Sequence, residues 1–154
     1  MANSDLLRLD QQLCFALYSA SRSLTRAYAP LLEPLGLTYP QYLVMLVLWE
    51  ERSASVKALG QRLALDSGTL TPLLKRLEKR GLVTRRRDSD DERIVRIDLT
   101  PDGQTLRARA RRVPTELACL AGFEIENERD RARLVHLRQE LVALAARIGD
   151  AADM

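Results

Sequence analysis

Cysteine and histidine are scarce in this chain of 154 residues, which contains two cysteines and one histidine. Cys14 and Cys119 stand far apart, so they form neither a CxxC redox motif nor a cysteine-rich zinc site. With His136 as the lone imidazole, these residues exclude a transition-metal site. In a reducing compartment both cysteines are expected to rest as thiols, and any disulfide would be transient. We therefore expect no metal and no other cofactor.

Long hydrophobic runs are also missing. No apolar stretch approaches the roughly 18 residues that a membrane helix needs, and the polar N-terminus lacks the apolar segment of a secretory signal. These features predict a cytoplasmic protein without a membrane partner. Glycine (seven) and proline (six) are few, while 46% of the residues are hydrophobic. The composition therefore predicts a folded single domain over residues 1–154.

Neither sign of charge dominates, since the formal net charge is +3, but the charges are unevenly distributed. The segment from Lys57 to Arg96 holds 11 basic and 6 acidic residues, whereas the remainder holds 13 basic and 15 acidic residues. A locally basic segment indicates a surface that faces a polyanion. On charge alone, an arginine-rich solvated face remains the simpler interpretation.

The N-terminal region has the periodicity of an amphipathic helix. Its leucines recur every three or four positions, at Leu6, Leu9, Leu13, Leu17 and Leu24. The pattern predicts a helix from about Asp5 to about Ala29, where Pro30 ends it.

A second helix follows the connection "PLLEPLGL" (30–37). Its start has the residues of a capping box, with Thr38 as N-cap, Gln41 three positions later and Pro40 in the first turn. The run 42–49 is apolar nearly all round, which predicts that this helix is buried.

Two short amphipathic helices are predicted next. "SVKALGQRLAL" (55–65) leads through a tight connection at Leu65–Asp66 into "DSGTLTPLLKRLEKRG" (66–81), and Gly81 should end the second helix. This pair is typical of a helix-turn-helix. Because Pro72 falls inside the second helix, either the regular helix begins nearer Thr69 or its first turn is distorted.

After Gly81 the helical period gives way to alternation. "LVTRRR" and "RIVRIDL" flank the polar "DSDDE", which predicts a β-hairpin. A helix-turn-helix followed by a hairpin is the winged-helix arrangement. The predicted fold class is therefore mainly α with a small β-hairpin wing (α+β), and residues 55–99 form its DNA-binding lobe.

The C-terminal third is predicted to be helical again. Thr100 and Pro101 start one helix, which Pro114 should kink or interrupt. The last helix, about Glu126 to Ile148, has a narrow apolar seam of the kind that meets another helix. The seam consists of Leu134, Leu137, Leu141, Leu144 and Ile148. We expect residues 5–37 and 100–149 to form the dimerisation region of a homodimer.

The predicted lobe offers the groups that DNA recognition requires, namely donors on a helix face with cations at its edges. The helix contributes Ser67, Thr69, Thr71, Lys75 and Arg76. The hairpin contributes Arg85 and Arg86 on its first strand and Arg93 near its tip, where Asp91 can hold the guanidinium. An arginine at a wing tip suits the narrow minor groove. Two such heads in a dimer would read a palindrome in double-stranded DNA.

Taken by themselves, Cys14 and Cys119 would be buried, inert small hydrophobes, which is the usual role of a helical cysteine. Tyr28 and Tyr39 would likewise be ordinary core or boundary aromatics. Residue type alone therefore indicates no chemistry at these positions.

Several longer segments resemble the organic-hydroperoxide-sensing (OhrR) branch of the MarR family, over about residues 5–145. "DERIVRIDLT" is similar to MarR proteins broadly, whereas "QLCFALY" and "LTYPQYLVMLVLWE" are more specific to this branch. The resemblance implies that Cys14 is the peroxide-reactive cysteine and that the hydroxyls of Tyr28 and Tyr39 hold its reduced sulfur. It also implies that Cys119 is a resolving cysteine, which forms a disulfide with Cys14 across the dimer.

The resemblance implies a repressor that binds a pseudo-palindromic operator when reduced and releases it when an organic hydroperoxide oxidises Cys14. Helix geometry adds one constraint. If the first helix is continuous, Cys14 and Tyr28 lie about 21 Å apart along its axis. A tyrosine that contacts Cys14 must then come from the partner subunit, with the two first helices antiparallel.

Three other functions remain open. A MarR-type repressor could be released by a small phenolic ligand, with its cysteines incidental. A thiol peroxidase would need an arginine beside Cys14, but Arg8 and Arg22 lie elsewhere on the helix surface, so we expect no enzyme. A winged-helix adaptor would bind protein and show no salt-dependent DNA affinity.

Overall fold

The computed structural model describes residues 7–152, which divide into two compact units that meet in sequence between Val113 and Pro114. The first unit contains five helices and three strands: α1 (Leu13–Leu32), α2 (Tyr39–Glu51), β1 (Ser53–Ser55), α3 (Val56–Leu63), α4 (Ser67–Lys79), β2 (Val83–Arg87), β3 (Val95–Leu99) and α5 (Pro101–Ala110). Helix α6 (Val113–Leu120) begins at the last residue of this unit, and α7 (Glu128–Ala152) belongs to the second. The fold class is confirmed, while the prediction of a single domain stays a prediction.

Helix α1 is displaced toward the C-terminus relative to its prediction. Its start was wrong because a 3₁₀ turn at Leu9–Gln11 is followed by Gln12 in an extended conformation; Asp5 and Leu6 lie outside the described residues. Its end was wrong because Pro30 lies inside the helix. The fixed φ of proline is helical, so Pro30 removes one hydrogen bond near the helix end without ending the helix.

Helix α2 is the centre of the core, as its apolar sequence predicts. Thr38 and Gln41 form the capping box, and the Gln41 side chain accepts a hydrogen bond from Thr38 N (2.9 Å). Tyr42, Met45 and Leu48 are at most 2% exposed. Because the interior is tightly packed, truncation of such a side chain costs about 2–5 kcal/mol of the free energy of unfolding.

The helix-turn-helix consists of α3 and α4. Ser55 Oγ accepts a hydrogen bond from Ala58 N (3.0 Å) and Asp66 Oδ1 accepts one from Thr69 N (2.9 Å), so each helix has an N-cap. Helix α4 begins at Ser67, which overturns the proposed start near Thr69. Pro72 is accommodated within the regular helix.

The wing is the predicted hairpin with one strand added. Strands β2 and β3 pair antiparallel, and β1 pairs with the other side of β3, so the sheet has the order β1–β3–β2. Sequence analysis missed β1 because three residues are too short to show alternation. Ile97 at the middle of the central strand is fully buried and joins the sheet to the core.

Helix α5 is anchored to α2 through a glycine. Thr100 caps α5 as predicted, since its Oγ1 accepts a hydrogen bond from Gly103 N (3.0 Å). The indole Nε1 of Trp49 donates to the carbonyl oxygen of Gly103 (2.8 Å). The interruption assigned to Pro114 is confirmed, because α5 ends at Ala110 and Pro114 is the second residue of α6.

In the second unit, α7 starts two residues later than predicted and extends beyond Ile148. The side chain of Asn127 accepts hydrogen bonds from Arg129 N (2.9 Å) and Asp130 N (3.3 Å), which fixes the helix start. Within residues 7–152 no single helix is long and apolar enough to cross a membrane, and the two helices that reach this standard together, α1 and α2, are bent by 68°.

Candidate nucleic-acid interface and thiol site

The N-terminal half of α4 presents the predicted polar face, but two of its hydroxyls have partners within the chain. Thr69 Oγ1 donates to Asp66 Oδ2 (2.8 Å), and Thr71 Oγ1 donates to the carbonyl oxygen of Ser67 (2.8 Å). Their oxygens remain acceptors, while Ser67 itself is exposed. Further along the helix, Lys75 and Arg76 are exposed. The cations on this face are therefore directed to solvent.

A groove of about 490 Å³ separates α4 from the wing. It is lined by Ser55, Val56, Lys57, Ser67, Thr71, Leu74, Arg85, Arg93, Ile94 and Val95. Three of these residues are cations and none is a carboxylate, so the groove is electropositive. Lys57 was missed by sequence analysis. Lys57 lies in the first turn of α3, the first helix of the helix-turn-helix. This position in the sequence could have identified it as a candidate DNA contact.

The wing carries Arg93 in an ion pair with Asp91. Its side chain is 90% exposed, and its Nε and Nη2 donate to the two carboxylate oxygens of Asp91 at 3.0 and 3.1 Å. The Arg93 guanidinium lowers the pKa of Asp91, helped by the hydrogen bond from Arg93 N. Asp91 therefore pairs with an exposed arginine, as the sequence predicted.

Three other wing arginines, unlike Arg85 in the groove, bind partners within the hairpin itself. Arg86 forms an ion pair with Asp98 across the sheet, and Arg96 forms one with Asp88. Arg87 donates to the carbonyl oxygen of Glu92 (2.7 Å). Arg86, predicted as a DNA contact, is therefore partnered within the sheet, because strand register places it diagonally opposite a carboxylate.

Both cysteines are exposed, so the expectation that they are buried hydrophobes is wrong. Cys14 is the second residue of α1 and lies in its first turn rather than at mid-helix. Its neighbours Leu13 and Phe15 are 60% and 40% exposed. Cys119 lies near the end of α6.

Tyr28 and Tyr39 are in contact, with ring centroids 4.5 Å apart, and the ring of Tyr42 lies 5.7 Å from that of Tyr28. Burial raises the pKa of Tyr28 to about 12 and also raises the pKa values of the other two. At neutral pH all three phenols keep their protons and can act as donors. Because Cys14 and Tyr28 lie on one continuous helix, they are about 21 Å apart along its axis.

The predicted seam of α7 is largely uncovered. Leu137, Leu141 and Ile148 are 46%, 41% and 58% exposed, while Leu134 and Leu144 are half-buried. Such an apolar strip is typical of an interaction surface. Among the residues that the structure describes, no group of three or more histidine, cysteine or acidic side chains could hold a metal ion.

Sequence analysis did not single out two further arginines, Arg80 and Arg109. Arg80 and Arg109 bind backbone carbonyls in the turn between α1 and α2, which joins Tyr28 to Tyr39. Their sequence contexts are ordinary helix ends, so no local signal identifies them.

Similarity to known proteins adds to this geometry. Residues 26–109 match the protein family described as "Transcriptional regulator SarA/Rot". An organic hydroperoxide resistance transcriptional regulator of Bacillus subtilis is 54% identical over 110 residues, which make up 71% of this chain and 75% of the relative.

Solved structures resemble the chain over most of its length. Reduced AbfR bound to DNA is 35% identical, with a TM-score of 0.72 and coverage of 94% of this chain and 99% of that one. AbfR, a protein of Staphylococcus epidermidis, has also been solved with a disulfide formed. NadR in complex with 4-hydroxyphenylacetate is 26% identical, with a TM-score of 0.70 and coverage of 87% and 92%.

Proposed function

Because the chain belongs to the organic-hydroperoxide-sensing (OhrR) branch of the MarR family of DNA-binding transcriptional regulators, we propose that it is a repressor released from its operator by oxidation of Cys14. The contact between Tyr28 and Tyr39 is the observation that carries this proposal. Two half-buried phenols that keep their protons form a pair of donors suited to a thiolate.

The sensing site requires two copies of the chain. The tyrosine pair lies about 21 Å from Cys14 along α1, farther than a side chain reaches. The partner subunit's Tyr28 and Tyr39 would therefore hold Cys14, with the two α1 helices antiparallel. The exposed apolar side chains of α1 and α7 supply surface for this dimer.

The chemistry begins with attack of the Cys14 thiolate on the O–O bond of an organic hydroperoxide. The sulfur takes one oxygen and becomes sulfenic acid, and the other oxygen leaves with the alkyl group as an alcohol after protonation. The thiol of the partner subunit's Cys119 then condenses with the sulfenic acid, which forms a disulfide and releases water. Exposure of both cysteines supports this step, since each is accessible to a reactant.

DNA binding would use the electropositive groove and the wing. Ser67, Lys75 and Arg76 would face the major groove, and Arg93 would enter the minor groove. Thr69, Thr71 and Arg85 would add contacts beside them. A two-fold symmetric dimer places two such heads on a pseudo-palindrome, so a change in their spacing removes many phosphate contacts at once.

The test is a gel shift on a DNA duplex selected from a random-sequence library by the reduced protein. Cumene hydroperoxide is expected to release the wild type and to leave the Cys14→Ser variant bound. Full release of that variant would contradict the proposal. Non-reducing electrophoresis checks the second step, because the oxidised wild type should show a covalent dimer that Cys119→Ser lacks.

Release by a small phenolic ligand is the second candidate function. The likeness to NadR, which has been solved with 4-hydroxyphenylacetate, favours it. A variant with both cysteines replaced by serine separates the two functions. If 4-hydroxyphenylacetate releases this variant from the same duplex, the cysteines are incidental.

A further inference from the structure

The turn between α1 and α2 is held by two guanidinium groups from distant parts of the first unit. Arg80 Nη2 donates to the carbonyl oxygen of Leu35 (3.0 Å), and its Nη1 donates to that of Gly36. Arg109 Nη2 donates to the carbonyl oxygen of Pro34 (2.5 Å). Three successive carbonyls of one turn are thus bound by arginines, and we call this arrangement the arginine clasp.

Gly36 makes the closest part of the clasp possible. Its φ of +62° lies in the left-handed region, which L side chains rarely adopt. A Cβ at this position would lie 2.7 Å from Arg80 Nη2. Glycine therefore satisfies two requirements at once, the turn conformation and the approach of the guanidinium.

The clasp connects the two halves of the proposed switch. Arg80 is the C-cap residue of α4, the proposed recognition helix. The turn that it binds lies between Tyr28, in the last part of α1, and Tyr39, the first residue of α2. A displacement of the tyrosine pair therefore moves the carbonyls to which α4 is tied.

Hydrogen bonds and apolar packing transmit such a displacement differently. The core also joins α2 to α4, but apolar contact is non-directional. A hydrogen bond from a guanidinium weakens steeply when its distance or angle changes. The clasp is consequently the directional link between the turn and α4.

We propose that Arg80 is a positioning residue that couples the state of the tyrosine pair to the orientation of α4, an inference that rests on the proposed function. Arg80 acts through the turn and does not touch Cys14. Its loss should leave peroxide chemistry intact and should weaken the effect of oxidation on DNA binding.

The experiment measures the dissociation constant of the library-selected duplex for the reduced and the cumene-hydroperoxide-oxidised protein. Typical couplings between sites are about 5–150-fold, so oxidation should weaken wild-type binding by a factor in this range. The measured quantity is the ratio of the dissociation constant of the oxidised protein to that of the reduced protein. In Arg80→Met this ratio should be at least fivefold lower than in the wild type. If the wild-type ratio is itself below about five, the ratio in Arg80→Met should fall to one. Lys79→Met, which removes the same charge from the exposed neighbouring position, should keep the wild-type ratio.

Two readouts separate coupling from a structural or phosphate-binding role. The rate of sulfenic acid formation at Cys14, followed by trapping with dimedone, should match the wild type within about twofold. The slope of log Kd against log salt should also be unchanged, since loss of a phosphate contact would reduce it by about one. A reduced slope in Arg80→Met alone would overturn the inference.

Gly36→Ala disturbs the arginine clasp at the turn instead of at the guanidinium, and it keeps the charge of Arg80. Its ratio of the two constants should also fall, and this variant decides the outcome if Arg80→Met does not fold. A wild-type ratio in the folded variants would overturn the inference and leave the proposed function standing. If oxidation does not release the wild type, the proposed function fails and the inference fails with it.

Discussion

The rings of Tyr28 and Tyr39 lie 4.5 Å apart, although one residue belongs to α1 and the other begins α2. The turn between them reverses the chain, and Gly36 provides its left-handed residue. Because both phenols keep their protons at neutral pH, the pair supplies two hydroxyl donors. The proposed thiol chemistry depends on this pair more than on any other contact.

Replacing either phenol should slow the oxidation of Cys14. A hydrogen bond to a charged group contributes about 1.5–3 kcal/mol, so we expect Tyr28→Phe or Tyr39→Phe to slow sulfenic acid formation about tenfold or more. Dimedone trapping after addition of cumene hydroperoxide measures the rate. Tyr42→Phe is the control, since it removes a hydroxyl from the same aromatic cluster. Equal rates for all three variants would contradict the assigned roles.

Alkaline pH should destabilise the wild type through Tyr28. Burial raises the pKa of this phenol from its ordinary value of 10.0 to about 12, so the folded state holds the proton more tightly than the unfolded state. Its contribution to stability is complete below about pH 10 and is lost as the pH rises through about 12. As the pH rises between these two values, the urea concentration at the unfolding midpoint should fall less steeply in Tyr28→Phe than in the wild type. Parallel curves would show that the group titrates normally.

The wing arginine should contribute directly to DNA affinity. Arg93→Ala should weaken binding to the selected duplex about tenfold and reduce the salt slope by about one. Asp91→Asn should have a smaller effect, because Asp91 only orients the guanidinium. Arg107→Ala removes the same charge from an exposed site on α5 and should match the wild type. An affinity of Arg93→Ala equal to that of this control would exclude the wing contact.

Replacement of glycine by alanine should have opposite effects on stability at Gly103 and at Gly149. A Cβ on Gly103 would lie 2.2 Å from the carbonyl oxygen of Leu82, so Gly103→Ala should lower the free energy of unfolding by about 1–3 kcal/mol. Nothing lies within 4 Å of a Cβ on Gly149 in α7. Because glycine in a helix is less favourable than alanine, Gly149→Ala should raise the free energy of unfolding by about 0.5–1 kcal/mol. Chemical denaturation measures both, and a neutral Gly103→Ala would contradict the packing described.

The seam on α7 should be required for dimerisation. Leu141→Arg places a charge in the exposed apolar strip, so we expect monomers and loss of tight operator binding. Sedimentation velocity measures the oligomeric state. Gln139→Arg introduces the same side chain on another face of α7 and should leave a dimer. A dimeric Leu141→Arg protein would show that this strip does not form the interface.

Several elements could be read directly from local sequence. Thr38 with Gln41 and Thr100 identified two helix starts, and Gly81 identified the end of α4, because caps act within one turn. The N-cap role of Asp66 was not predicted from the sequence. The start of α1 was wrong because its leucines continue a helical period through a 3₁₀ turn and an extended Gln12. Periodicity describes which side chains share a face and does not report a break in the backbone.

The sequence alone determined the helix-turn-helix followed by a hairpin, the Asp91–Arg93 pair of the wing, and the apolar seam of α7, since all of these follow from interactions over a few residues. Only the tertiary structure decided that Cys14 is exposed, that Arg86 is partnered by Asp98, and that Arg80 binds the turn between α1 and α2. These facts depend on packing and strand register between distant segments. Local spacing carries no record of which surfaces meet, because apolar burial has no direction and many pairings of the same helices would satisfy it.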